Sequence, residues 1–327
     1  MSLVESRPAA GPARPAPRPV VRAAAPAVLS LLALLVIGMA LPYLVGPYQQ
    51  EVGYRVVQLA ALATAWNLMA GYGGLVSLGS AAFIGIGAYT AAETGNNYGW
   101  PLVACIAAGA VVAALFSVMV SPAMFRLRGL YFTIGTLALA EALRLLMINI
   151  GTFGGASGIV LRTPALEVYQ LFWWALVIAL LATVVVLVVL ATPASLSLRS
   201  VRDDEDVAKQ MGVFTFRTKL WAFATASAVM GLVGGLQATK LGVIEPYGSF
   251  GISWSVDIVA VAIIGGLGTR CGSWVGALFY VVLGELLRDY PEVHTAITGI
   301  VLVLVIRFAP SGIWGTAAAV VMERRHG

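Results

Sequence analysis

Four polar side chains stand inside long apolar runs of this chain: Asn67, Glu141, Arg144 and Asp257. An ionisable group among apolar neighbours is expensive, so it faces a bundle interior or a wet path. Glu141 and Arg144 are three residues apart, share one face of a helix and can pair. Two readings of that pair stay open, glue between helices or a polar lining for a solute path. Asp257 falls near the end of its run, where snorkelling to water is a further option. Asn67 can hydrogen-bond across helices as easily as line a path. Bond-breaking chemistry has few candidates. There is no G-x-x-x-x-G-K-[ST] phosphate loop, and Lys209, Lys219 and Lys240 all lack a preceding glycine. There is no H-E-x-x-H and no G-x-S-x-G, and the two histidines are His294 and His326. Cys105 and Cys271 offer no metal spacing and no disulfide framework, and are read as small packing residues. A membrane-embedded enzyme would have Glu141 and Asp257 as acids with no nucleophile arrangement. The expectation is a chain that is not an enzyme, with no catalytic residues, no metal and no cofactor of its own.

The elements that carry these residues follow from composition. The chain has 327 residues, 60% hydrophobic and 11% charged. A soluble domain carries about 25% charged residues, so this is an integral membrane protein. Its net charge of +5 reflects loop topology and not nucleic-acid binding. Residues 1–26 are rich in Pro, Ala and Arg and are read as a disordered tail. The apolar run after it is longer than the roughly 7–15 residues of a cleavable signal, so it is read as a retained span. At about 17–25 residues per crossing, the spans fall near 27–46, 54–71, 73–92, 100–121, 130–150, 171–192, 219–241, 254–268, 273–288 and 293–309. The fold class expected is an all-α polytopic membrane bundle of about eight to ten helices. Both termini then lie in the cytoplasm, with 27–315 as the membrane domain and 316–327 as a C-terminal tail. That count puts Arg126, Arg128, Arg270, Arg324 and Arg325 inside. It puts loops holding Glu51, Glu93, Glu167, Glu245 and Glu292 outside, in keeping with the positive-inside rule.

Two glycine-rich stretches, Gly71–Tyr89 and Gly265–Gly276, interrupt this pattern. They make 73–92 and 254–288 candidates for broken or re-entrant helices that expose backbone to a solute. Gly268, Gly272 and Gly276 recur every fourth residue, a spacing that lets helices approach closely in lipid. A hydrophilic island, Ser195–Lys219, separates two spans and belongs in the cytoplasm by its basic residues. Within it, Asp203–Met211 reads as one short amphipathic helix, acidic at its start, with Gly212 as its C-terminal stop. Such a helix is either a docking surface or an ordinary charged loop.

Several segments together resemble one family. Trp66-Asn67-Leu68-Met69-Ala70-Gly71-Tyr72-Gly73-Gly74-Leu75-Val76-Ser77-Leu78-Gly79, running on to Gly85-Ile86-Gly87-Ala88-Tyr89, resembles a signature of branched-chain amino acid ABC transporter permeases of the LivM type. Arg128-Gly129-Leu130-Tyr131-Phe132 with Thr136-Leu137-Ala138 is similar to a second segment of that family. Arg202-Asp203-Asp204-Glu205 with Ala208 and Gly212 resembles its coupling segment. Gly265-Gly266-Leu267-Gly268-Thr269 and Pro310-Ser311-Gly312-Ile313 match two more elements, and the likeness spans about residues 54–315. At Ser80 the family commonly carries a larger polar residue.

The resemblance implies a membrane subunit of an ATP-driven importer in a prokaryotic inner membrane. Its implied partners are two ABC ATPase subunits that bind ATP and magnesium, a homologous second permease and an extracytoplasmic solute-binding protein. The implied solute is a branched-chain amino acid or a related small neutral or zwitterionic molecule. Coupling to the ATPases would fall to Arg202, Asp203, Glu205, Asp206, Ala208 and Gly212. Candidates for the translocation path are Asn67, Ser77, Ser80, Glu141 and Asp257. The rival from another class is a secondary carrier driven by an ion gradient, which accounts for interrupted helices but leaves the island without a purpose.

Overall fold

The computed structural model describes residues 38–40, 42–162 and 166–288, with shorter pieces between 296 and 316. The expected tails, most of the first expected span and much of the last lie outside the described residues, as do Glu292, His294, Arg324, Arg325 and His326. Helix α1 (Pro47–Asn67) opens on a proline, whose fixed φ suits a first turn. It runs on through one π turn, Leu68–Tyr72, and stops at the glycines. Then come α2 (Ser80–Tyr98), α3 (Leu102–Met124), α4 (Leu130–Asn149) and α5 (Val168–Ala191). The island forms α6 (Ala194–Asp203) and α7 (Glu205–Gln210). After it come α8 (Thr215–Leu241), the turn α9 (Pro246–Ser249), α10 (Ile252–Gly265) and α11 (Gly272–Leu286). A two-residue antiparallel ribbon, β1 (Ile159–Val160) with β2 (Val243–Ile244), ties two loops together.

Among the described residues, five helical segments are long and apolar enough to cross a bilayer: α3, α4, α5, α8 and Pro246–Gly265, which takes in α9 and α10. The protein is an all-α polytopic membrane bundle. Lipid is as apolar as Leu, so apolar burial gives helices in it little reason to associate, and close backbone approach matters more. Here that approach runs through α8. Gly231 of α8 meets Gly87 of α2 and Gly109 of α3, where an added Cβ would strike backbone atoms. One turn on, Gly234 lies against the carbonyl of Ile84. Phe83 and Phe223 fill the gap beside this contact edge to face, 5.3 Å between ring centres. On the other side, α1 packs against α5, α10 and α11 and buries Tyr54, Leu62 and Trp66.

The structure corrects several expectations. The island is not one helix over 203–211. Asp204 leaves helical conformation, and its carboxylate accepts from the amides of Asp206 and Val207, so a new helix starts there. A side chain that caps this well competes with continuation of the helix before it. The expected span 54–71 begins seven residues earlier, at Pro47, so Glu51 is helical and not in a loop. Glu93 is likewise inside α2. The expected span 73–92 starts only at Ser80, because residues 73–79 are unwound. Gly268 does not share a helix face with Gly272 and Gly276. It sits in the turn between α10 and α11 at φ +70°, a conformation that favours glycine. The glycine facing Gly272 and Gly276 is Gly265.

Candidate functional site

The island end gathers most of the ion pairs among the described residues. Helix α7 is only six residues long, too short to stand alone, and both its ends are fixed. Asp204 caps the start. At the finish, the amide of Gly212 donates to the Lys209 carbonyl and that of Val213 to the Ala208 carbonyl, with Gly212 at φ +84°. These are the two bonds of a Schellman motif. Ala208 is buried, which sets the rotation of the helix. Lys219, itself buried, reaches up from α8 to pair with Glu205, and Lys209 joins at 3.1 Å. Arg128, just before α4, holds Asp206 through two bonds of 3.0 and 3.3 Å. Asp203 pairs with Arg202 at 3.1 Å.

These contacts fix the charge state. The Arg128 guanidinium holds the Asp206 carboxyl below its ordinary range, and Asp206 raises Arg128 in return. For Glu205, burial pushes upward, but hydrogen bonds from Lys219 and Lys209 outweigh it and the net shift is down. Beside exposed charges such as Asp203, Asp206 and Lys209, the island leaves large apolar side chains outward. Met211 is 79% exposed and Phe214 74%, with Val207 and Phe216 also open. A rigid, ion-paired base thus presents a hydrophobic ridge.

The same end holds both glycine breaks, and Arg202 reaches into them. Its Nη1 donates to the Gly71 carbonyl at 2.9 Å, an acceptor left over where the π turn ends. Asn67 joins the two breaks. Its amide nitrogen donates to the Thr269 carbonyl at 3.0 Å, and its amide oxygen accepts from the Gly268 amide at 2.8 Å. Ser77 is buried, accepting from the Gly79 amide at 3.1 Å. The Ser80 hydroxyl is buried with no hydrogen-bond partner among the described residues.

The remaining path candidates lie elsewhere. Glu141 and Arg144 pair at 2.7 Å on α4, and Arg144 also sits over the Tyr247 ring at 5.2 Å. Asp257 accepts from the Tyr280 hydroxyl at 2.6 Å and lines a cavity of about 450 Å³ near the opposite end. The five candidates therefore do not share one chamber. The sequence reading missed Arg55, Gln58, Gln237 and Lys240, which line that cavity with Asp257. Their signal was present: four hydrogen-bonding side chains inside the expected spans 54–71 and 219–241, near the ends of those spans. It also missed Gly87, Gly109 and Gly231, because close approach between distant helices leaves no local spacing.

Residues 51–308 match the family described as branched-chain amino acid transport system / permease component. The chain is 29% identical over 316 residues to the high-affinity branched-chain amino acid transport system permease protein LivM of Salmonella typhimurium, covering 87% of this chain and 74% of that one. It is 25% identical over 228 residues to a probable branched-chain amino acid transport permease protein LivM of Methanocaldococcus jannaschii, covering 63% and 64%. A shorter likeness, 29% over 119 residues, links it to the permease protein LivH of Salmonella typhimurium, covering 36% and 38%. No solved structure matches the chain. The family suggested by the motifs is the family matched over most of the chain. This polytopic bundle belongs to the permease components of branched-chain amino acid transport systems.

Proposed function

We propose that this chain is one membrane half of an ATP-driven importer for branched-chain amino acids or related small neutral or zwitterionic solutes. The observation that carries the reading is the island: a helix too short to persist unaided, clamped by Lys219–Glu205 and Arg128–Asp206, with Met211 and Phe214 left open to water. An exposed apolar ridge on a rigid charged base is a docking surface for another protein. Two ATPase subunits, which bind the ATP and magnesium, take that surface on the cytoplasmic side. The arginines and lysines of the island support that orientation. Arg202 then transmits their movement to the glycine breaks through Gly71, and Asn67 carries it from one break to the other. A second, homologous permease completes the membrane part, a reading supported by the likeness to both LivM and LivH relatives. An extracytoplasmic binding protein delivers solute to the far end. The membrane domain runs over 27–315, between cytoplasmic tails, in the inner membrane of a prokaryote.

The test is co-purification of the tagged chain from its native membrane, with Asp206→Arg/Gly212→Leu as the comparison. Two ATPases and a second permease should accompany the unaltered chain, and the double variant should release the ATPases. A chain that purifies alone and moves solute in vesicles on an ion gradient without ATP would make it a secondary carrier.

A further inference from the structure

The end of the bundle away from the island holds two cavities that meet, and with the importer reading as the basis they bear on the choice of solute. Helix α4 starts beside the island, where Arg128 holds Asp206, and α2 starts at the first glycine break, which Arg202 reaches. At about 1.5 Å per residue, their C-terminal halves lie well away from the island. One cavity there, of about 240 Å³, is walled by Ile86, Leu143, Met147, Phe153 and Phe250. Its aromatic side is already assembled, with the Tyr89 ring edge-on to Phe153 at 6.3 Å and tilted against Phe250 at 5.7 Å. The other cavity, of about 470 Å³, is a polar chamber lined by Glu93, Asn96, Asn97, Thr152 and Arg162. Glu93 borders both.

The apolar cavity is smaller than the roughly 300–1,000 Å³ of ordinary ligand pockets, so by itself it holds part of a molecule. The polar chamber supplies what the rest would need. Asn96 is spent on construction: its amide nitrogen donates to the Val160 carbonyl at 2.8 Å, and its oxygen accepts from the Arg162 amide at 2.7 Å. That ties the base of the Arg162 side chain to α2. The Arg162 guanidinium itself has no hydrogen-bond or ion-pair partner among the described residues. Half-buried Glu93 accepts from the Asn97 side-chain amide, a neutral partner, and no cation pairs with it among the described residues. A carboxylate held once still accepts further donors. One cation and one anion therefore border the chamber, neither with a counter-charge. A plain anion would leave Glu93 opposed, and a plain cation would leave Arg162 opposed. A zwitterion answers both, and one with an apolar side chain also fills the neighbouring cavity.

We propose that the paired cavities receive an α-amino acid with an apolar side chain. The side chain enters the smaller cavity, Glu93 takes the ammonium group and Arg162 the carboxylate. The zwitterionic head sits on the carbon that carries the side chain, so a charged group shared by both cavities is where the head must anchor. Arg suits the carboxylate because its planar fork can donate two parallel bonds. Selection of the solute then begins within the permease itself, before the glycine breaks are reached.

The test uses a reporter at the rim of the chamber. Thr152 borders it and is exposed, so Thr152→Cys in a Cys271→Ser background gives this chain one open thiol, Cys105 being buried. Labelling by a neutral methanethiosulfonate reagent is read on the tagged chain, in washed membranes that hold the whole membrane complex without the solute-binding protein. Leucine should slow labelling. Glycine, which lacks the side chain, isoamylamine, which lacks the carboxylate, and isocaproate, which lacks the ammonium group, should each need about tenfold or more concentration for the same protection. Glu93→Gln and Arg162→Gln should each weaken leucine protection by about tenfold or more, the scale of a lost charge-assisted bond, with the unprotected labelling rate unchanged. Arg162→Lys should keep more of it than Arg162→Gln. If the reporter chain does not assemble, the rise in melting temperature that leucine gives the purified complex, compared with glycine and with Glu93→Gln, reads the same site. Absent protection by leucine, equal protection by glycine, isoamylamine or isocaproate, or protection that survives Glu93→Gln overturns the assignment. None of those results touches ATPase co-purification, so the importer reading and this site fail separately.

Discussion

The two glycine breaks look alike in sequence and behave differently in the fold. Residues 73–79 are buried except at Gly74 and Val76 and nearly so at Leu78, and several neighbours fasten them. The Trp66 indole donates to the Ser77 carbonyl at 2.8 Å, and the Thr136 hydroxyl accepts from the Leu78 amide at 3.1 Å. The Ser255 hydroxyl accepts from the amide of Ala81 just beyond. Residues 267–271 are open or half-open, and Asn67 is the side chain that crosses to hold them. In the first break Gly73 and Gly79 permit burial, because a side chain would not fit, and only Gly74 takes positive φ. In the second, glycine permits a turn, with positive φ at Gly266 and Gly268. Local glycine content cannot tell these uses apart; what differs is whether the neighbours are backbone atoms or water.

The contrast is broken or sharpened by substitution. The largest effect is expected from Gly79→Val, whose Cβ would come 2.5 Å from the Thr136 carbonyl oxygen. A backbone atom cannot rotate away, so the chain should fail to accumulate in the membrane, as read by quantitative blotting. Next is Asn67→Leu, which orphans a donor and an acceptor at once. Both groups are half-open, so each orphan costs about 1 kcal/mol, the low end for an unpaired group, and the melting temperature of the detergent-solubilised protein should fall by a few degrees. Trp66→Phe removes one bond to the first break and should cost about 1–2 kcal/mol in the same assay. Gly268→Ala meets no atom closer than 3.3 Å and bears only the strain of positive φ, about 1–2 kcal/mol. If Gly268→Ala proved as damaging as Gly79→Val, the distinction between a packed crossing and an open turn would be lost.

The smallest effect concerns the clamp on the island, Arg128–Asp206 and Lys219–Glu205. Asp206 and Glu205 have depressed pKa values, from ordinary values of 3.8 and 4.5. Their contribution is therefore complete above those values and is lost as pH falls through the lowered ones. Resistance of the island to limited proteolysis should be flat from neutral pH to about 5 and should drop below about 4. Salt should weaken the exposed Arg128–Asp206 pair more than the buried Lys219–Glu205 pair. Loss of protection near pH 6 would mean that other groups hold the island.

Much of this was legible beforehand. The spans over 100–121, 130–150 and 171–192 reappear within a few residues, because a membrane crossing writes its length directly into the apolar run. Glu141 and Arg144 pair as their spacing allowed. The stop at Gly212 was readable, while the cap at Asp204 was hidden among four consecutive acids, any of which has the right chemistry. The cavity beside Asp257 was not readable, since its polar groups come from four helices far apart in the chain. Asn67 was open between two roles, and its two bonds across about 200 residues are the kind of fact that only tertiary structure supplies.

The contact of Gly87, Gly109 and Gly231 has a kinematic consequence. Where side chains separate two helices, a rotamer change lets one slide past the other by a fraction of a turn. Here backbone rests on backbone, and there is no rotamer to change. Helices α2, α3 and α8 must therefore travel as one rigid block in any cycle of opening and closing. The angular change has to be absorbed outside the block, and the open turn at 267–271, which joins α10 to α11, lies outside it, at the end of the bundle where the island is clamped.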